Sequence, residues 1–288
     1  MSLQSNSGSK RPTILAGAGT SPFGSLGRTL RAAESLQFFA IDLDLRQAWL
    51  LPSAAALGRA GDQGVVRIRS AWIPGSLTGP RHEARTAGLW SGLVHAATHL
   101  GLRTVIVPHR SEITRGNWLG SESRRVFREA NLGMVRHAIG VRGAEIQRGH
   151  EQLRQLQMIR HTAEEWDLDL ALDLTGDVPH YLEAEAAVLR LVSRLTVVRI
   201  PSWVSANGEL NTADPISRRV ISILADQGYT GTISIVPMRS PWHISWQPPA
   251  PTSSEEWTRA MILDQYARQR SDDAPATYIS PEIFREFP

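Results

Sequence analysis

Residues 168–179 read Leu-Asp-Leu-Ala-Leu-Asp-Leu-Thr-Gly-Asp-Val-Pro. Leucine takes every second place from Leu168 to Leu174, while Asp169, Ala171, Asp173 and Thr175 take the others. A period of two is a β-strand's period, and it gives this strand one wholly apolar face. That face must be covered by helices. The other face carries two carboxylates, so it meets a charge, a ligand or water. Gly176, Asp177 and Pro179 then mark a turn.

Working outward, other short apolar runs alternate with amphipathic stretches. Strands are expected at 13–18, 38–43, 65–72, 104–108, 196–201 and 232–237, beside the one quoted. Helices are expected at 25–37, 85–102, 120–137, 147–166, 181–195 and 215–227. Strands alternating with helices make a mainly parallel sheet. Their number over this length predicts an α/β fold, a TIM-type (β/α) barrel, with an open doubly wound sheet as the alternative. Seven strands leave the barrel one βα unit short, between the quoted strand and Arg199. Residues 1–11 read as a disordered leader or expression remnant, and 12–240 as the barrel. Residues 241–288 read as a proline-rich C-terminal extension with one helix, from Ser254 to Arg270, and an extended tail. The tail packs on the body or joins a homo-oligomer.

The chain has 288 residues, 42% hydrophobic and 20% charged, with no cysteine. Disulfides, thiol nucleophiles and cysteine-held zinc are thereby excluded. No apolar run is long enough to span a membrane and no signal-like segment opens the chain, so a cytoplasmic location is expected. The formal charge is +3. Lys10 is the only lysine, so the positive charge is almost all arginine. The charge is spread without a basic tail or stripe, which argues against nucleic acid as a partner.

Alternation assigns faces. Leu168, Leu170, Leu172 and Leu174 face out, as do Val66, Ile68, Phe39, Ile41, Leu43, Val198, Ile200, Ile233 and Ile235. Asp42, Asp44, Arg67, Arg69, Asp173, Arg199 and Ser234 face in. Buried charge of both signs must pair, reach water or bind a charged ligand. Barrel sites lie at the C-terminal strand ends. Candidate catalytic groups are therefore Asp173, Asp177 and His109. Candidate ligand-binding groups are Arg67, Arg69, Trp72, Arg110, Arg199, Ser202 and Arg239.

Two weaker motifs are set aside. Gly17-Ala-Gly19 resembles a dinucleotide turn, but Pro22 stands where its third glycine belongs. His95 and His99 have zinc-pair spacing, but Ala96 replaces the glutamate of that motif.

The stretches from Ser25 to Leu43 and from Ile221 to Val236 resemble the xylose isomerase-like barrels, which include sugar-phosphate isomerases, epimerases and AP endonuclease IV. The second stretch, with Gly228-Tyr-Thr-Gly-Thr-Ile-Ser-Ile235, is similar to that family's closing "GYxGxxSIE". The resemblance implies a divalent metal held by Glu, Asp, His and Glu. Val236 stands at the closing Glu, Arg199 at a His and Ser202 at an Asp. Leu174-Thr-Gly-Asp177 stands at "DTGH". A cation beside a metal opposes it. The expectation is therefore a metal-free site with Arg199 paired to Asp173 and no cofactor, a divalent metal being the alternative. The functions this leaves are a sugar or sugar-phosphate isomerase or epimerase, or a non-catalytic binder of an anionic small molecule. A metal-dependent repair nuclease ranks last. Whether the chain is an enzyme stays open.

Overall fold

A computed structural model describes residues 12–19, 26–44, 66–72, 102–109, 135–142, 150–175, 181–202, 215–236 and 253–273. Eight parallel strands close a barrel in sequence order. They are β1 (Thr13–Gly19), β2 (Ala40–Asp44), β3 (Arg67–Trp72), β4 (Thr104–Pro108), β5 (Arg136–Arg142), β6 (Asp169–Asp173), β7 (Leu195–Pro201) and β8 (Thr232–Val236). The described helices are α1 (Leu26–Ser35), α2 (His150–Glu165), α3 (Tyr181–Leu191), α4 (Pro215–Asp226) and α5 (Ser253–Asp273).

The outer face of the barrel carries the main core. Ile41, Leu43, Ile68, Val105, Val107, Ile139, Val141, Leu170, Leu172, Val198, Ile200, Ile233 and Ile235 all belong to it, packed with Val188, Leu191, Val220 and Leu224 of the helices. Helix α5 adds Ile262 and Tyr266 to the same cluster, and Thr258 is buried with them. That spacing of four puts one stripe of α5 against the body. Arg259 reaches from α5 to the carbonyl oxygen of Gln37 (2.6 Å) and lies 5.0 Å from the Phe38 ring centroid.

Inside the barrel a second, smaller cluster joins Trp72, Ile106, Ala138, Ala171 and Val197. Trp72 is fully buried. It fits because β5 carries Gly140 opposite it: a Cβ there would lie 2.4 Å from the indole Cζ3 and 2.7 Å from Ile106 Cγ2.

Three expectations change. No βα unit is missing, because β5 is the eighth strand and lies before the quoted stretch, not after it. Residues 136–137 are strand, whereas a helix was expected to run through them. Arg-His-Ala-Ile-Gly-Val-Arg has a glycine, an alanine and two charged ends, so it lacks the β-branched density of its neighbours. Its inward residues are small because Trp72 takes the space. Phe39 was assigned to the core, yet β2 begins one residue later and Phe39 is 76% exposed. The expected helices at 85–102 and most of 120–137 lie outside the described residues.

Gly140→Val should destabilise the fold by about 1–3 kcal/mol, the usual cost of overpacking. Urea unfolding measures it. A companion Trp72→Phe change, which shortens the indole, should recover part of the loss.

Candidate functional site

The site is built where β2 meets its neighbours β1 and β3 and faces β6, β7 and β8 across the lumen. On β2, Ile41 and Leu43 point to the helices, so Asp42 and Asp44 point inward. On β7, Val198 and Ile200 point out, so Arg199 points in. Arg199 is 1% exposed and Asp42 is fully buried.

The guanidinium gathers three carboxylates. Its Nε lies 2.9 Å from Asp42 Oδ2 as an ion pair, and its Nη1 donates to Asp44 Oδ2 at 2.8 Å. The same Nη1 lies 3.5 Å from Asp173 Oδ2. Below the cation is the face of Trp72, its centroid 5.2 Å from Arg199 Cζ. Such a cation–π contact adds stabilisation where water is excluded.

Each carboxylate has further partners. Asp42 accepts from the Ser70 hydroxyl and from the Ser234 hydroxyl (2.9 Å). Burial pushes its pKa up, while Arg199 and the two serines oppose that. The arginine and the two hydroxyl donors around it favour the charged form against that burial. Asp173 Oδ1 accepts from the Thr175 amide (3.0 Å) and hydroxyl (2.6 Å), which closes the end of β6 as a turn. Asp44 is the most open of the three, its side chain 21% exposed against 4% for Asp173.

A bulge decides which β3 residues reach this cluster. Ile41 pairs with Ile68, but Asp42 pairs with Ser70, so the register shifts by one. The shift turns Ser70 and Trp72 into the lumen. Strict alternation would have sent Arg69 there. Arg67 instead stands exposed, with Arg69 half-buried, at the N-terminal end of β3. The structure therefore does not bring them together with Arg199, contrary to the face assignment made from the sequence.

Of the other sequence candidates, Asp173, Arg199 and Trp72 are brought together. His109 directly follows β4, is buried, and donates its backbone N–H to Gly140 O at 2.7 Å. Its Nε2 has no partner among the described residues, and burial lowers its pKa. It shares the parity of Val105 and Val107, the outward set. Ser202 is buried after β7, and its N–H donates to Val236 O at 2.8 Å. Asp177, Arg110 and Arg239 lie outside the described residues. Sequence reasoning turned Asp42, Asp44 and Ser234 inward but left Asp42 and Ser234 out of its candidates. Their signal was the polar residue on the inner faces of β2 and β8, the two strands that flank β1. Ser70 carried no usable signal, since the bulge controls it.

The fold has many solved counterparts. An L-ribulose 3-epimerase aligns with a TM-score of 0.61 at 16% identity, over 92% of this chain and 99% of that one. A D-allulose 3-epimerase from Methylomonas sp. aligns at 0.58 and 14% identity, over 89% and 99%. A xylose isomerase-like TIM barrel protein from Mycobacterium smegmatis, in complex with magnesium, aligns at 0.55 and 14% identity, over 88% and 96%. The shared fold is the closed eight-stranded TIM-type barrel. No family model matches the sequence. No curated protein matches it either.

Among the described residues the donor set does not suit a divalent ion. Among the described residues no three His, Asp or Glu side chains are arranged to hold one. The three converging carboxylates have a guanidinium between them, and an ion placed there would meet a like charge within contact distance.

Arg199→Met keeps most of the side chain's length and removes its charge. It leaves Asp42 buried beside no cation, so it should cost about 3–5 kcal/mol. The loss of Arg199 raises the Asp42 pKa further above its unfolded value. An acid with a raised folded pKa loses stability as pH rises through that pKa. Denaturant unfolding should therefore show a smaller deficit at pH 5 than at pH 8.

Proposed function

We propose that this chain is a sugar isomerase- or epimerase-like barrel protein that takes a small polyhydroxylated ligand at the C-terminal mouth and works without a metal. The observation that carries the reading is the Arg199 guanidinium among Asp42, Asp44 and Asp173. It supplies, as a fixed part of the chain, the positive charge that carboxylates at such a place otherwise take from an ion. Two of the neighbours named above are epimerases of L-ribulose and D-allulose, and their shared fold supports a sugar-type ligand here.

The charge balance narrows the ligand. Three carboxylates surround one guanidinium, so the described part of the mouth repels an anion and accepts hydrogen bonds from hydroxyls. This favours a neutral sugar over the anionic ligand or sugar phosphate also weighed above. Asp177, Arg110 and Arg239 follow β6, β4 and β8 in sequence and remain proposed contributors from the loops.

Epimerisation next to a carbonyl needs one group to remove a proton and one to return it. Asp44 is proposed as the first, because it is the carboxylate nearest solvent. Asp173 is proposed as the second. Arg199 is too buried to meet the ligand, so it positions Asp44 through the 2.8 Å bond from its Nη1.

A second reading, binding without chemistry, draws support from the saturation of Asp42 by Arg199, Ser70 and Ser234. One experiment separates the two. The purified protein is incubated with neutral ketoses in D2O containing a chelator, and deuterium uptake beside the carbonyl is followed by NMR. Uptake that Asp44→Asn lowers about 100-fold or more, the usual scale of a lost acid–base group, supports catalysis. Saturable ketose binding without uptake supports the binder. Uptake that requires added manganese or magnesium overturns the metal-free reading.

A further inference from the structure

Strand β5 carries one further cation to the mouth. Its Ile139 and Val141 belong to the outer core, while Ala138 belongs to the cluster inside the barrel. Alternation therefore gives Arg142, the last residue of β5, to the inner face. Arg142 is exposed, whereas His137 to Val141 before it are buried. It pairs in register with Asp173, Asp173 with Arg199, and Arg199 with Ser234. All four lie on the inner face, and neighbouring strands are about 4.8 Å apart. Arg142 and Asp173 are thus direct neighbours at the C-terminal end of the lumen.

The two arginines of this row differ in what they can touch. Arg199 is 1% exposed and engaged by Asp42 and Asp44. Arg142 stands at a strand's C-terminal end, where barrels of this type meet their ligands. Two residues before it on the same face is Gly140, where a side chain would strike the Trp72 ring. Arg142 is therefore the first side chain that β5 presents above the indole floor. With Arg142 counted, three carboxylates face two guanidiniums. Negative charge stays in excess, so a neutral sugar remains the better ligand.

We propose that Arg142 is the electrophile of the mouth, donating to the carbonyl oxygen of a ketose and to the oxyanion that forms there. The inference rests on the function proposed above, which names proton carriers but no group to receive the charge. When Asp44 takes the proton beside the carbonyl, the C–H electron pair becomes a C=C bond. The carbonyl pair moves onto oxygen, which becomes an anion. A guanidinium offers paired N–H donors to such an oxygen and to the hydroxyl beside it. A proton returned from Asp173 re-forms the C–H bond and the carbonyl. Exchange with water then resets both carboxyl groups. The register of Arg142 with Asp173 sets electrophile and acid on adjacent strands, so both reach one carbon–oxygen unit.

The test pairs deuterium exchange with binding of an enediolate mimic. Exchange into neutral ketoses is followed in D2O with a chelator, for the whole chain, Arg142→Gln and Arg142→Lys. Arg142→Gln should lower kcat about 100-fold or more, the scale of a lost oxyanion donor, and move KM by less than about threefold. Arg142→Lys keeps the charge but not the fork, so it should recover part of kcat. It also carries the test if the glutamine variant does not fold. The mimic is glycolohydroxamate, which is planar, neutral in solution and able to ionise against a cation. Calorimetric titration should show it binding the whole chain at least about tenfold more tightly than Arg142→Gln. Exchange that Arg142→Gln leaves unchanged, or alters in KM alone, overturns the proposal and leaves the proposed function standing. No exchange by the unaltered chain, with hydroxamate binding that depends on Arg142, removes the catalytic reading and supports the oxyanion subsite. Hydroxamate binding that is absent, or equal in the variants, overturns the subsite.

Discussion

The Arg199 guanidinium is the group around which the lumen is arranged. A charge this deeply buried is tolerated only with counter-charges at contact distance. Asp42 and Asp44 supply them from β2, and Asp173 lends a third, more distant one from β6. Ser70 and Ser234 then satisfy what Asp42 has left over, and Trp72 closes the space beneath. Four strands, β2, β3, β7 and β8, thus converge on one carboxylate–guanidinium pair. The apolar outer layer gives the barrel its stability, but this polar knot fixes how those strands line up.

Much of the architecture was legible because leucine, isoleucine and valine repeat so strictly. Leu168 to Leu174 and Val198 to Ile200 have one reading as strands, and their inward partners follow from it. The inward turn of Asp42, Asp173 and Arg199 was therefore available from alternation alone. Two features defeated the pattern. β5 carries Ala138 and Gly140 inward because an indole needs their volume, and no local signal announces a neighbour's size. The bulge in β3 skips a residue, so Arg69 and Trp72 exchange the roles that simple alternation gives them. Both failures have one origin, since each depends on what the next strand does.

The pairing in the lumen also differs in detail from the one read off the sequence. Asp173 was the expected partner of Arg199, yet the shorter contacts go to Asp42 and Asp44. The reason is the competing bond: Asp173 spends Oδ1 on Thr175, which ends the strand, and so is drawn toward the turn. The resemblance to metal-binding barrels directed attention to the right height in the barrel. The expected Asp173–Arg199 pair forms, but it is one of three, because the resemblance compared positions along single strands rather than across them.

The plug formed by Trp72, Ile106, Ala138, Ala171 and Val197 has a consequence for how the two ends of the barrel communicate. It lies between the carboxylate cluster and the N-terminal end of the barrel, and all of its members are buried. Among the described residues this plug fills the lumen between the two ends. Any influence passing between the ends must travel as strain along the strands themselves, above all β3, which begins at Arg67 and finishes at Trp72. That strand holds the bulge, the one place in it where the backbone departs from regular pairing with β2. The barrel is in this sense two chambers sharing a floor, with β3 as a continuous beam through it.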